Sequence, residues 1–188
     1  ARLDMAERDI VRAKELDRCS DALVHATALK LSIGKGLHDL ARSSLAALGS
    51  SNDPLNYRAH LSALTYFCAK WHGSHQQMFA FARSVVQQLH VGHPLWVLIP
   101  KAHFERQLIV PQRGYWRQAS VRQEIMNAYL QAFGTNVGRA TEPWELELEM
   151  INRNFLRTAY CSLDAPTKSA SISISLANNL SSRTRGRV

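Results

Sequence analysis

The sequence predicts an all-α fold of six or seven helices stacked side by side as antiparallel pairs. Three observations predict it. Apolar residues recur at three- and four-residue spacing through most of the chain. Stop and start signals punctuate the periodic segments, most clearly Trp71-His72-Gly73-Ser74 with Gln77 behind it. The one period-two pattern, Ser171-Ile172-Ser173-Ile174-Ser175-Leu176, has no partner strand elsewhere in the chain.

Residues 3–32 read as helical, with Leu3, Ala6, Ile10, Ala13 and Leu16 followed by Ala22, Leu23, Ala26, Leu29 and Leu31. Asp17 to Asp21 marks a bend or a new start. Gly34-Lys35-Gly36 is a breaker that serves as helix C-cap and linker. It lacks the preceding strand, the further glycines and the Lys-Ser/Thr of a phosphate loop. Residues 37–48 form a short Ala/Leu-rich helix, with Gly49 at the expected C′ position. Asp53-Pro54 offers an N-cap and a first helical residue. That helix is expected to reach Trp71 and to bury Leu55, Leu64, Phe67, Cys68 and Trp71, with Ala59 and Ala63 at close approach.

Ser74 and Gln77 match a capping box, so the next helix starts at once, with Met78, Ala82, Val85 and Leu89 on its buried face. So short a turn lays the two helices antiparallel. Gly92-His93-Pro94 repeats the punctuation. The helix after it, about 95–109, carries Leu95, Leu98, Ile99, Ala102 and Leu108, and Pro100 either kinks it or marks a start near Ile99. Residues 115–133 are amphipathic, with Val121, Ile125, Ala128, Tyr129 and Ala132 on one side. Thr141-Glu142-Pro143 starts a last helix to about Cys161, with Glu145, Glu147 and Glu149 in its first half. The chain thus divides into a helical domain, 1–161, and a Ser-rich basic tail, 162–188, expected as a last short helix or a poorly ordered end.

A chain of 188 residues fits one domain and buries a core without a disulfide or metal. No run reaches the ~18 to 20 apolar residues that a membrane span needs. The mixed charges of Ala1 to Arg8 are unlike a signal peptide. Cys19, Cys68 and Cys161 are odd in number and widely spaced, which predicts buried thiols in a reducing, cytoplasmic setting. The net charge is +8, and +5 of it falls in residues 151–188, which hold six Lys/Arg and one Asp. A basic end of this kind attracts polyanions weakly, and Arg183, Arg185 and Arg187 are the residues that would touch nucleic acid.

Residues 53–107 carry a resemblance. Asp53-Pro54, Lys70-Trp71-His72-Gly73-Ser74, Met78-Phe79-Ala80-Phe81-Ala82-Arg83, Pro94-Leu95 and Leu98-Ile99-Pro100-x-Ala102-His103-x-Glu105 resemble uncharacterised, mainly actinobacterial proteins of tetratricopeptide-like α-helical repeat type. The resemblance implies a short right-handed α-solenoid of helix pairs and brings no activity, cofactor or catalytic residue. The Trp-x2-Leu-Gly-x2-Tyr signature of the standard repeat is absent.

Six of the eight histidines lie in 53–107. His72-x-x-His75 and His90-x-x-His93 have a metal-compatible spacing, but a glycine interrupts each pair and no carboxylate accompanies them. They read as turn and capping residues, and no metal or cofactor is expected. Ser74 beside His72 or His75 is a cap before it is a nucleophile. His103 and Arg106 share a helical face, while Glu105 points elsewhere. Trp71, Phe79, Phe81, Trp96, Tyr115 and Trp116 read first as packing helix against helix, and Tyr115-Trp116-Arg117 after Gly114 offers, as the alternative, an exposed anchor of the residue types that dominate interface hot spots. The expected function is a non-catalytic module that binds a protein or peptide, with Trp71, His72, His75, His103, Arg106, Tyr115, Trp116 and Arg117 as candidate contacts. The alternatives are nucleic-acid association through the tail, or a small enzyme in which His72, His75 or His103 meets an acid from another helix.

Overall fold

In a computed structural model of the chain, the described residues are 2–16 and 21–133, and every regular element among them is a helix. Seven α-helices are present among them: α1 (Arg2–Leu16), α2 (Ala22–Lys35), α3 (His38–Leu48), α4 (Tyr57–Tyr66), α5 (His75–Val86), α6 (Leu98–Ile109) and α7 (Ala119–Phe133). Two 3₁₀ turns, Pro94–Val97 and Tyr115–Arg117, lead into α6 and α7. The expected helix 141–161 and the tail with its alternating segment lie outside the described residues, as do Cys19 and Cys161.

The break near Asp21 is a new start. Asp21 caps α2, its carboxylate accepting from Leu23 N–H at 2.9 Å. Gly36 ends α2 at φ 69°, a left-handed conformation that glycine adopts without a Cβ clash, and its N–H bonds Ser32 O. Gly49 is different from expectation: it stays right-handed at φ −63°, and its N–H bonds Ala47 O.

Three expectations for the middle of the chain are corrected. The cap of α4 is Asn56, whose Oδ1 accepts from Ala59 N–H at 3.0 Å. Asp53 instead accepts from the Asn56 side-chain amide at 2.9 Å and so orients the cap. The helix ends at Tyr66, not Trp71, because the chain folds back at Cys68. Trp71 and Gly73 N–H both bond Cys68 O, and His72 N–H bonds Tyr66 O. Trp71 is thereby turned outward and is 47% exposed. A Cβ on Gly73 would sit 2.2 Å from Phe67 O, so only glycine fits that reversal.

Ser74 then caps α5 as expected, accepting from Gln77 N–H at 3.1 Å. His93 caps the Pro94–Val97 turn, and α6 begins at Leu98. Pro100 lies in the first turn of α6, where its missing N–H has no helical partner to lose. Leu108, expected inside, is exposed.

The core has two main parts. Leu64, Met78, Leu95 and Leu98, all fully buried, join α4, α5, the first 3₁₀ turn and α6. Leu29, Ala41, Ala63 and Tyr66 join α2, α3 and α4. Burying side chains of this size contributes about 1.5–3 kcal/mol each. The most extensive packing of α4 is against α2 rather than its hairpin neighbour α5. Ala59 and Ala63, both without exposed surface, permit that approach. Among the described residues, no helix is long and apolar enough to cross a membrane.

Candidate functional site

The densest polar arrangement lies where α5, α6 and α7 meet. Phe79 on α5 packs edge-on against His103 on α6, with ring centroids 4.8 Å apart. Tyr115, in the 3₁₀ turn before α7, places its hydroxyl 2.6 Å from His103 Nδ1. Glu124 on α7 places Oε2 3.1 Å from His103 Nε2. Arg83 on α5 closes the far side: its Nε–H and Nη2–H donate to the two Glu124 oxygens at 2.8 and 3.0 Å. Arg106, one turn after His103, lays its guanidinium 4.1 Å from the Tyr115 ring centre.

The partners fix the protons. Arg83 holds the Glu124 carboxyl below the usual range, so Glu124 is ionised and accepts. His103 therefore carries its proton on Nε2 and donates to Glu124. Burial pushes the His103 pKa down, and the neutral ring accepts the Tyr115 proton at Nδ1. Burial also pushes the Tyr115 hydroxyl up, so it remains a phenol. The result is a Tyr–His–carboxylate chain in which the Tyr115 hydroxyl and His103 Nε2–H each meet an acceptor.

The imidazole and the phenol of this chain are closed off from solvent. His103 is 3% exposed and Tyr115 5%. Glu124 and Arg83 are the open end, with side chains 27% and 53% exposed. A general base or nucleophile needs its atom within reach of a substrate, and here that atom is enclosed by Phe79, Arg106 and Trp116. The arrangement as it stands joins three helices.

The other histidines are dispersed. His72 Nε2–H donates to Ile33 O at 3.0 Å, tying the α4–α5 turn to the last turn of α2. His38 and Tyr66 bond at 3.0 Å beside it, and the His38 and His72 rings meet edge to face at 4.9 Å. His60 Nδ1–H donates to Asn56 O, and its ring stacks on Phe81. His90 and His93 lie 5.2 Å apart, but His93 Nδ1 is engaged as a cap acceptor. His75 is the first residue of α5. Among the described residues, no group of three or more His, Cys, Asp or Glu is placed to hold a metal ion.

Of the residues singled out in the sequence, His103, Arg106 and Tyr115 are brought together. Trp71, His72 and His75 are not part of that group. Tyr115 and Trp116 are buried, at 5% and 6%, which agrees with the packing reading and corrects the alternative of an exposed anchor; Arg117 alone of the three is exposed. The Tyr-Trp pair faces inward because Gly114, at φ 79°, turns the chain before it and Val121 and Ile125 pack behind it. Arg183, Arg185 and Arg187 lie outside the described residues.

Sequence reasoning passed over Glu124 and Arg83. A signal for Glu124 was present. It sits three residues after Val121 and four before Ala128, on the edge of the apolar stripe of α7. It is also one of only two acids between residues 54 and 141. Away from this node, a shallow groove of ≈360 Å³ runs along α1, lined by Glu7, Arg8, Val11, Arg12 and Glu15.

Comparison with protein-family models, curated proteins and solved structures finds no match to the chain.

Proposed function

We propose that this protein is a non-catalytic interaction module, a tetratricopeptide-like short array of antiparallel helix pairs that docks a peptide or helix of a partner protein. The supporting observation is apolar surface on elements whose opposite sides are already packed. Phe104 and Leu108, one turn apart, are exposed on α6, while Leu98, Ile99 and Ala102 of the same helix are buried. Trp71 is exposed on the turn before α5. Exposed aromatic and aliphatic side chains at helical spacing are the anchors that helix-in-groove recognition uses. The resemblance of residues 53–107 to helical-repeat proteins agrees with this reading.

The test is affinity capture from source cells with wild-type, Trp71→Ala and Leu108→Asp baits. A specific partner should be recovered by the wild type and lost from a variant whose circular-dichroism melt is unchanged. Identical capture by all three baits would retire the reading.

A small enzyme is the second reading, and one observation favours it: His103 meets an acid from another helix, Glu124. Burial of Tyr115 weighs against it. Acetylation of tyrosine by N-acetylimidazole in the native protein separates the two. Protection of Tyr115 rules out substrate access, whereas modification without unfolding would support a site there.

A further inference from the structure

α7 has two apolar stripes. Val121, Ile125, Ala128 and Ala132 are buried against the body of the protein. Met126 and Leu130 are 42% and 50% exposed. At 100° per residue they lie about 150° round the helix from the buried stripe. A single exposed leucine is ordinary. Two apolar side chains at i and i+4 on the far side of an already packed helix are the pattern of a helix sandwiched between neighbours.

The chain supplies a candidate neighbour. It continues for 55 residues beyond Phe133. Residues 134–140, Gly-Thr-Asn-Val-Gly-Arg-Ala, have the length and composition of a helix–helix connection. After them, Trp144, Leu148, Ile151 and Phe155 follow at spacings of four, three and four, one helical face by sequence pattern. A segment tethered by seven residues meets this surface at a high effective concentration, which an external partner does not enjoy.

We propose that the Met126–Leu130 stripe of α7 is the docking surface for the chain's own segment 141–161, through Trp144, Leu148, Ile151 and Phe155. This contact would extend the helical array by one layer, and it stands independently of the partner surface on α6.

The test uses the full chain with Cys19→Ser and Cys161→Ser, leaving Cys68, which has no exposed surface. A reporter cysteine is placed by Leu130→Cys, by Met126→Cys as a second site, and by Arg113→Cys as an exposed reference. The rate of maleimide labelling is read under native conditions. At both α7 sites, labelling should be at least tenfold slower than at Arg113→Cys at every protein concentration. Adding Ile151→Asp or Phe155→Asp should restore the reference rate without changing the melt of the remainder. Reference-rate labelling at both α7 sites would overturn the proposal. Protection that grows with protein concentration would also overturn it, by showing that a second copy covers the stripe.

Discussion

Glu124→Ala is the most informative single change in the α5–α6–α7 node. It has two effects of different size. The first is loss of the bidentate pair with Arg83, whose side chain is 53% exposed. An exposed ion pair contributes about 0.2–1 kcal/mol. The second is that His103 Nε2–H loses its acceptor in a place where the ring is 4% exposed. A buried donor left unsatisfied costs about 1–3 kcal/mol. The buried donor wins, and the sum is about 2–3 kcal/mol. In a protein of this size about 1 kcal/mol moves Tm by ~2–4 °C, so Tm should fall by about 6 °C. Arg83→Ala keeps the acceptor for His103 and should lower Tm by no more than about 2 °C. Thermal melts at pH 7.5 followed by circular dichroism measure both. A drop under 1 °C for Glu124→Ala, or a larger drop for Arg83→Ala, would show that the His103–Glu124 bond does not tie the helices.

Three further outcomes are expected. Gly73→Ala should destabilise by about 3 kcal/mol, at the upper end of overpacking costs, because the clash is with the Phe67 backbone; Gly34→Ala, in α2 with nothing within 4 Å of its Cβ, should stabilise by about 0.5–1 kcal/mol, and urea titration reads both. Stability should fall as pH drops below about 6.5. His103, His60 and His93 all have folded pKa values pushed down by burial, so the unfolded chain takes up protons first and the stability present above that pH is lost as pH falls through the folded values. His103 is faced by Glu124 from α7, Tyr115 from the turn before it, Arg83 from α5 and Arg106 from its own helix, and the two arginines oppose its protonation; a flat stability profile from pH 7.5 to 5.5 would contradict this. Cys68, buried and pushed up to about 11, should resist Ellman's reagent at pH 8 until the chain unfolds, and prompt native reaction would contradict its burial.

Local signals that the fold merely accepts were legible in the sequence. The Ser74 cap, the Gly36 stop and the stripe Met78, Ala82 and Val85 are each dictated within a few residues. Choices between two adequate local signals were not. Asp53-Pro54 is as good a helix start as Asn56, and the turn at 53–56 decided between them by using Asp53 to hold Asn56. The pattern that carried Phe67, Cys68 and Trp71 as one stripe holds for a straight helix, but the chain reverses at Cys68, so Cys68 is buried and Trp71 is not. Tyr115 and Trp116 are open to two readings in the sequence, packing against a helix or anchoring a partner at the surface, because their residue types suit both. Their burial depends on α7 packing back over them, which no local pattern encodes.

The charge balance shows why the node was harder to see than the helices. Residues 54–133 hold eight Lys/Arg but only two acids, Glu105 and Glu124. Each acid is taken by a base from a different element: Lys70 bonds Glu105 at 2.6 Å, and Arg83 bonds Glu124. The bases outnumber their partners fourfold, so losing one from an exposed position removes little. Losing either acid unties two elements at once, and Glu124 also holds a buried histidine. The rare charge in a biased stretch is therefore the informative one. The six histidines carry the reactive chemistry of this stretch, but it is the two scarce carboxylates that hold α6 and α7 in place.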